Sequence, residues 1–448
     1  MYKITFLLFF VVQLTQAQCW KMVQTDGATT LAIKTDGSLW GWGWNNTGQL
    51  GNATFIDEHS PVQIGTSSDW DFLNRGYHHT MLIKKNGTLW AFGWNNYGQL
   101  GDGTIINKNV PVQIGTMSDW KVITSAFNHN LAIKTNGTLW AWGRNGLGEL
   151  GDGTYIHKYS PIQIGTDTDW KSLSSMQNNS FAIKNDGSLW SWGLGNYLGS
   201  GGGTTPNPTK VGVATNWKKI AAGTIHVLAL KTDGTLWAWG NNNYGGLGNG
   251  TTSTSNTPTP IQVGTDNNWL DITAGLYFSM ALKTDGTLWT WGGNMNGALG
   301  DGTLVNRLIP TQISSNKQWS QIDSGNNQAL ALDSQNNLYA WGRNEYGNIG
   351  DGTTIQRNIP TYISCSLVSN EEFNTISVNI YPNPSNSKIN IECEDVISSL
   401  IIYDSNGRIV KTQFSSKNEI DISSLQQGVY HLKVKTQSGI NIQKIVKK

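Results

Sequence analysis

The chain is short of charge, histidine, cysteine and long apolar runs, and each shortage removes a class of function. Only 14% of its 448 residues are charged, and 31 Lys and Arg stand against 30 Asp and Glu, so the formal net charge is +1. That balance gives no general attraction to nucleic acid or to an anionic membrane surface. The longest apolar run, Ile4 to Val12, is about half of what a bilayer core requires. No nucleophile elbow, phosphate loop or HExxH pattern occurs, and helical spacing of apolar residues is absent from the repeated part of the chain. What the sequence has instead is 52 glycines and 21 tryptophans, the composition of a turn-rich β protein filled by aromatic rings.

The first seventeen residues, MYKITFLLFFVVQLTQA, place a lysine ahead of the apolar run and Thr15 and Ala17 at −3 and −1 of a cleavage site. They read as a secretory signal peptide removed before Gln18. Beyond them one phrase recurs: KTDGSLWGWGWNNTGQLGNAT from Lys34, KKNGTLWAFGWNNYGQLGDGT from Lys84 and KTNGTLWAWGRNGLGELGDGT from Lys134. Its first aromatic falls at Trp40, Trp90, Trp140, Trp190, Trp237, Trp289 and Tyr339, at intervals of 50, 50, 50, 47, 52 and 50 residues. A second landmark opens each unit at Trp20, Trp70, Trp120, Trp170, Trp217, Trp269 and Trp319. Two independent markers therefore count seven repeats.

Within one unit the apolar residues alternate over short runs, as in WKVITSA, NLAIK, TLWAWG and PVQIG, which predicts four strands per repeat. The TDG and TNG triplets at Thr35, Thr135, Thr232 and Thr284 tolerate positive φ and are expected to make tight turns between the third and fourth strands. In LWAWG the alternation sends Leu139 and Ala141 to one face and Trp140 and Trp142 to the other, giving each gap between sheets large rings to fill it. A unit of this kind cannot cover both of its faces alone. Seven packed radially can, and closure of the ring hides most sheet edges.

With the pattern W-x-x-I…H-x-L-A-L-K-x-D-G-x-L-W-x-W-G-x-N-x-x-G-Q-L-G-x-G-T on the page, residues 18–365 resemble the regulator of chromosome condensation repeat family. The resemblance implies an all-β, seven-bladed β-propeller. It does not select a function, because such propellers include a nuclear exchange factor, a plant ultraviolet receptor and secreted bacterial enzyme inhibitors. The signal peptide and the lack of a basic arm set the nuclear role aside. Where the plant receptor's tryptophan–arginine motif would fall, this chain has GYHHT, AFNHN and GTIHV.

After a polar linker, residues 366–376, tryptophan disappears and isoleucine and valine take over in residues 377–448. NIYPNPSNSKINI, the LQQGVY motif and the terminal KIVKK resemble the type A C-terminal sorting domain of cargo for the type IX secretion system. The resemblance implies a small immunoglobulin-like β-sandwich that engages that machinery, and a chain released from the cell or held at the outer surface. An adhesion module of similar fold is the alternative.

Candidate chemistry is sparse. His79, His129 and His226 stand nine residues after their opening Trp, where other repeats have Thr29, Asn179, Phe278 and Gln328; repeat equivalence spreads them one per blade, so they are expected to be structural hydrogen-bonding groups and no metal or cofactor is implied. The remaining histidines, His59, His78, His157 and His431, add no cluster. The GDGT turns lack the ligand spacing of a calcium loop, and Asn52 and Asn249 replace the acid in two copies. Lys108, Lys158, Arg307 and Arg357 are equivalent, with Glu58 reversing the sign in the first repeat. They are read as a partner-binding rim or as solvated charges paired with their own Asp.

Of the three cysteines, Cys365 aligns with Thr66 and Cys19 with Asp69 of the junction VQIGTSSDW. A Cys19–Cys365 disulfide would replace the one junction that the chain termini cut, contributing on the order of 4 to 5 kcal/mol by loop closure. The expectation is a secreted, non-enzymatic propeller that recognises a protein or glycan through one face. A lectin, and an enzyme or enzyme inhibitor with its site on one face, are the rivals.

Overall fold

Strand alternation does what the LWAWG phrase requires. In the third blade Leu139 and Ala141 pack with Leu131, Leu150 and the next blade's Trp170 and Trp192. Trp140 and Trp142 turn the other way, with Trp120 against Met81, Leu89, Ala91 and Leu100 of the preceding blade. An aromatic face thus meets an aliphatic face in each gap, and Trp42, Trp142, Trp192, Trp239, Trp291 and Trp341 are wholly buried. At about 25 cal/mol per Å² of apolar surface, rings of this size are the largest single contributors to each gap.

The computed structural model describes residues 19–313, 316–365, 377–404, 409–413, 418–436 and 440–448. The expected leader, 1–17, and linker, 366–376, lie outside the described residues. The chain divides into two units, Met1–Cys365 and Ser366–Lys448.

The first unit holds seven four-stranded antiparallel sheets, each a meander in sequence order. The third blade is typical, with strands Trp120–Ser125, His129–Lys134, Leu139–Gly143 and Lys158–Ile164. First strands from all seven blades line an axial channel of about 300 Å³. One prediction is corrected: the TDG and TNG turns join the second and third strands, as at Lys134–Leu139, because TLWAWG is the third strand and PVQIG the fourth. The glycine that ends the third strand, Gly143, has φ of 102°, and a Cβ there would run into the Asn128 carbonyl. Six equivalents share that conformation, so the WG pair is a steric requirement.

The seam between first and last blades exchanges no strand. Blade 1 runs from Trp20 to Gln63 and blade 7 from Trp319 to Ile363. Cys19 and Cys365 are joined as a disulfide with Cα atoms 6.1 Å apart. The Cys19 carbonyl accepts the Thr35 amide at 3.0 Å, as the Asp69 carbonyl accepts Lys85 at an ordinary junction.

In the second unit a three-stranded sheet, Val378–Tyr381, Lys388–Cys393 and Glu419–Asp421, faces a four-stranded one built around Ile397–Tyr403 and Gly428–Thr436. Ile389, Ile391 and Ile420 from one sheet and Leu400, Ile402, Leu432 and Val434 from the other form a single core. This is a β-sandwich.

Candidate binding surface

What repeats around the ring holds it together. Asn145, fully buried, donates to Asp152 Oδ1 at 2.9 Å and to the Thr154 carbonyl at 3.0 Å, and accepts the Leu150 amide at 2.9 Å. Its equivalents Asn45, Asn95, Asn242, Asn294 and Asn344 do the same work. The GDGT aspartate is an internal acceptor: Asp102 Oδ1 takes the Thr104 amide at 3.0 Å and its hydroxyl at 2.8 Å.

The three aligned histidines form a girdle between blades. His79 Nε2 meets Asn130 Oδ1 at 2.8 Å, His129 meets Ser180 at 2.9 Å and His226 meets Ser279 at 2.7 Å. Each partner then donates to a loop carbonyl of the histidine's own blade, Gln99, Glu149 or Gly246. Burial pulls these imidazoles down to about 4, 3 and 4, so they are neutral at pH 7. Indole N–H groups use the same carbonyls, Trp142 donating to Gln99 O at 3.0 Å and Trp192 to Glu149 O at 2.8 Å.

The four rim cations are each committed to the aspartate six residues earlier. Lys108 reaches Asp102 at 3.4 Å, Lys158 reaches Asp152 at 3.2 Å, Arg307 reaches Asp301 at 2.7 Å and Arg357 reaches Asp351 at 2.5 Å. In blade 1 the pair is inverted: Asn52 donates to Glu58 at 3.3 Å. Beneath the opposite face, six blades stack a lysine against two tryptophans, as Lys84 does at 4.7 Å from both Trp70 and Trp90.

What varies is concentrated elsewhere. Turns between first and second strands and loops between third and fourth strands open on one face of the ring, and there the repeat positions diverge. Trp44 and Trp94 occupy a site held by Arg144, Leu194, Asn241, Gly293 and Arg343 in other blades. Half-buried rings run continuously from blade 7 to blade 3. Tyr346 lies 5.4 Å from Trp44, Trp44 5.0 Å from His78, His78 5.5 Å from Trp94, Trp94 5.8 Å from Tyr97 and Tyr97 5.4 Å from His157. Tyr77 and Phe127 stack beside this arc at 4.3 Å. Farther out, Phe55, Ile56, Ile105 and Ile106 project from the third-to-fourth loops, each more than half exposed. Blades 4 and 5 have neither the arc nor the apolar loop tips, carrying SGGGTT and GNGTTSTSN there instead.

A second departure from the repeat lies in the channel. Arg75 and Asp323 stand where other blades have small or uncharged residues, and Asp26 joins them. Asp323 Oδ2 accepts the Thr25 amide at 2.6 Å across the seam, and Asp26 Oδ1 accepts the Gly27 amide at 2.7 Å. Burial lifts Asp323 to about 8, against the Thr25 bond that lowers it, and lifts Asp26 to about 6, against the pull of Arg75. Arg75 Nη1 points at the Gln49 carbonyl of blade 1, to which Phe92, lacking an indole N–H, cannot donate and the Thr80 hydroxyl does at 3.3 Å.

Comparison with known proteins now places this ring. A family described as RCC1-like domain matches residues 157–410, more than half of the chain, and regulator of chromosome condensation (RCC1) repeats match 36–83, 86–133 and 123–149. The chain belongs to the RCC1-like domain family. Among solved structures, human WBSCR16 superposes on the RCC1-like ring with a TM-score of 0.67 at 21% identity, covering 73% of this chain and 94% of that one. Prp20p from Saccharomyces cerevisiae superposes with a TM-score of 0.67 at 22% identity, over 81% and 90%. The ultraviolet-B receptor UVR8 of Arabidopsis thaliana is 48% identical over 40 residues, 9% of each protein. At these identities and spans the likeness is one of fold.

Residues 379–448 match a secretion system C-terminal sorting domain, so the RCC1-like ring is cargo of the type IX system, secreted or attached at the outer surface. Among the described residues no helix is long and apolar enough to cross a membrane, and no group of three or more His, Cys, Asp or Glu is placed to hold a metal ion.

Proposed function

We propose that the exported ring is a binding protein, not an enzyme, and that it recognises a protein or glycan partner through the face carrying the aromatic arc from Tyr346 to His157. The observation that carries this reading is the contrast between constant and variable positions. Residues that hold the blades together repeat, whereas the continuous arc of touching rings spans blades 7, 1, 2 and 3 only, with Tyr244 and Tyr277 forming a separate pair at 4.6 Å on blades 5 and 6. Half-exposed Trp and Tyr offer large rigid contact area at low conformational cost. The rim cations lie at the outer edge of the same face, already neutralised by their aspartates, and contribute only to the periphery.

An enzyme would bring unlike polar groups from several blades into one pocket. The channel does gather Asp26, Arg75 and Asp323, but Asp323 and Asp26 are spent on backbone amides. These charges are read as part of the seam.

The test compares three proteins on a glycan array and on soluble proteins from the surrounding culture: the parent, a Trp44→Ser, Trp94→Ser, Tyr97→Ser variant, and a Lys85→Glu, Asp285→Lys variant of the opposite face. Ligands held by the parent are expected to be lost only from the first variant. Retention by it, at parental affinity, contradicts the reading.

A further inference from the structure

Where blade 7 meets blade 1, the aromatic face sinks into a pocket of about 100 Å³. Trp44, Tyr77 and Tyr346 wall it, and Asn326, Arg343 and Asn348 supply its polar lining. Three buried polar atoms among these have no partner: Arg343 Nε, Asn326 Oδ1 and Asn348 Oδ1. Such atoms are costly to leave unmet, because each has given up its hydration. Asn348 is only 1% exposed, and its amide nitrogen is fixed by Gln328 Oε1 at 2.8 Å and the Arg343 carbonyl at 2.6 Å. Its oxygen is therefore held in place as an acceptor.

The pattern specifies a ligand. Two unmet side-chain carbonyl oxygens, that of Asn348 fixed in place, require hydrogen-bond donors, and a guanidinium N–H requires an acceptor a short distance away. The hydroxyls of one sugar ring supply both roles. The apolar C–H face of a pyranose fits against Trp44 and Tyr346, whose rings lie 5.4 Å apart and inclined at 32°. Charge narrows the class further. Arg343 Nη2 already binds Glu345 Oε2 at 2.6 Å, so the site has no net positive charge to offer a uronic or sialic acid. The pocket is a discrete hollow of about 100 Å³, which suits a single ring better than an extended peptide.

We propose that this seam pocket is a subsite for a neutral pyranose, packed against Trp44 and Tyr346 and hydrogen-bonded by Asn326, Arg343 and Asn348. The proposal rests on the reading of the aromatic face as the recognition surface and assigns its ligand chemistry. The seam departs from the repeat in ways that build the site. Blade 1 has a short turn at Gly27–Ala28 where other blades carry larger side chains, and blade 7 alone places two asparagines, Asn326 and Asn327, in that turn.

The experiment uses the full secreted chain with methyl glycosides of glucose, galactose, mannose and N-acetylglucosamine, read by saturation-transfer NMR and tryptophan fluorescence, and a neutral glycan array. At least one pyranoside is expected to bind. Trp44→Ala, Asn326→Ala and Arg343→Lys should each weaken it about tenfold or more with the melting temperature held, while Tyr244→Ala, on the same face but distant in the ring, leaves it unchanged. Arg343→Lys keeps a positive charge opposite Glu345 while removing the guanidinium and its Nε–H, so it remains informative if the tryptophan variant folds poorly. Absence of binding to all neutral glycans overturns the proposal, as does binding that Asn326→Ala and Arg343→Lys leave intact. A protein ligand whose binding is lost on Trp94→Ser while every glycan fails would overturn the sugar subsite and leave the face reading standing. A ligand indifferent to all face variants would defeat both.

Discussion

Replacing both Cys19 and Cys365 with serine cuts the covalent clasp of the ring. The bond spans 346 residues of sequence, and the loop-closure relation for a loop of that length gives about 6 kcal/mol at 25 °C, somewhat above the figure expected for shorter closures. Spread over a ring of roughly 350 residues with an unfolding entropy of ~2.1 cal/mol/K each, that corresponds to a fall in melting temperature of about 8 °C. Contacts across the seam survive the substitution: Gln328 Nε2 still reaches Thr30 Oγ1 at 2.9 Å and Trp42 Nε1 the Asn348 carbonyl at 2.9 Å. The variant should therefore fold, and melt earlier. Calorimetry of parent and double variant, with non-reducing peptide mapping of the parent, reads both parts. A fall of under about 2 °C, or free and alkylatable Cys19 and Cys365 in the folded parent, refutes the reasoning.

The histidine girdle makes stability depend on acid. Its imidazoles titrate near 3 to 4 when folded, below the ordinary 6.5, so the unfolded chain takes up protons first as pH falls. The stability they contribute is complete above about pH 6.5 and is lost progressively toward pH 4. His129→Gln, the residue blade 7 uses at Gln328, should lose less melting temperature between pH 7 and 4 than the parent; an equal or larger loss contradicts this. Residues 18–365 expressed alone should melt cooperatively, and the chain lacking 366–448 should not be exported by its host; a non-cooperative melt or normal secretion would count against the division of labour. Serine at Lys108, Lys158, Arg307 and Arg357 together should lower partner affinity less than the triple aromatic variant and cost under about 1 kcal/mol per pair in stability, as partly exposed ion pairs do; a larger affinity loss than the aromatic variant would move recognition to the rim.

Legibility in the sequence divided along the same line as the repeat itself. Positions fixed by packing are readable, because a Trp in each gap and a Gly at φ near 100° are imposed in nearly every repeat, a histidine spanning two blades in three of them, and repetition reveals them. The alignment of Cys19 with Asp69 was readable for the same reason, since Cys19 inherits the carbonyl bond that Asp69 makes. The turn triplets were assigned to the wrong pair of strands because their chemistry marks a hairpin without saying which. The aromatic face escapes a reading by repeat pattern although its residues stand in view: WGWNN and FGWNN carry Trp where WGRNG has Arg and WGGNM has Gly, and GYHHT carries Tyr and His where GTIHV has Thr and Ile. For Lys108, Lys158, Arg307 and Arg357 the sequence leaves open a binding rim or charges paired with their own Asp, and each is paired with the aspartate six residues earlier. Arg75, Asp26 and Asp323 could have been found by the same comparison, as the residues that depart from Ser, Thr, Ala and Gly at their repeat positions. Their meeting in the channel needed the ring, which sets residues some 300 apart in sequence side by side.

The claim that one face recognises the partner is tested most directly by hydrogen–deuterium exchange on the secreted chain with and without the ligand it retains from the array or culture. The account predicts slowed exchange at the turns around residues 27–28, 77–78 and 326–327 and in the loops following Trp44 and Trp94. Protection confined to the opposite hairpins, at residues 35–38, 85–88 and 135–138, with the aromatic turns unchanged, would contradict it.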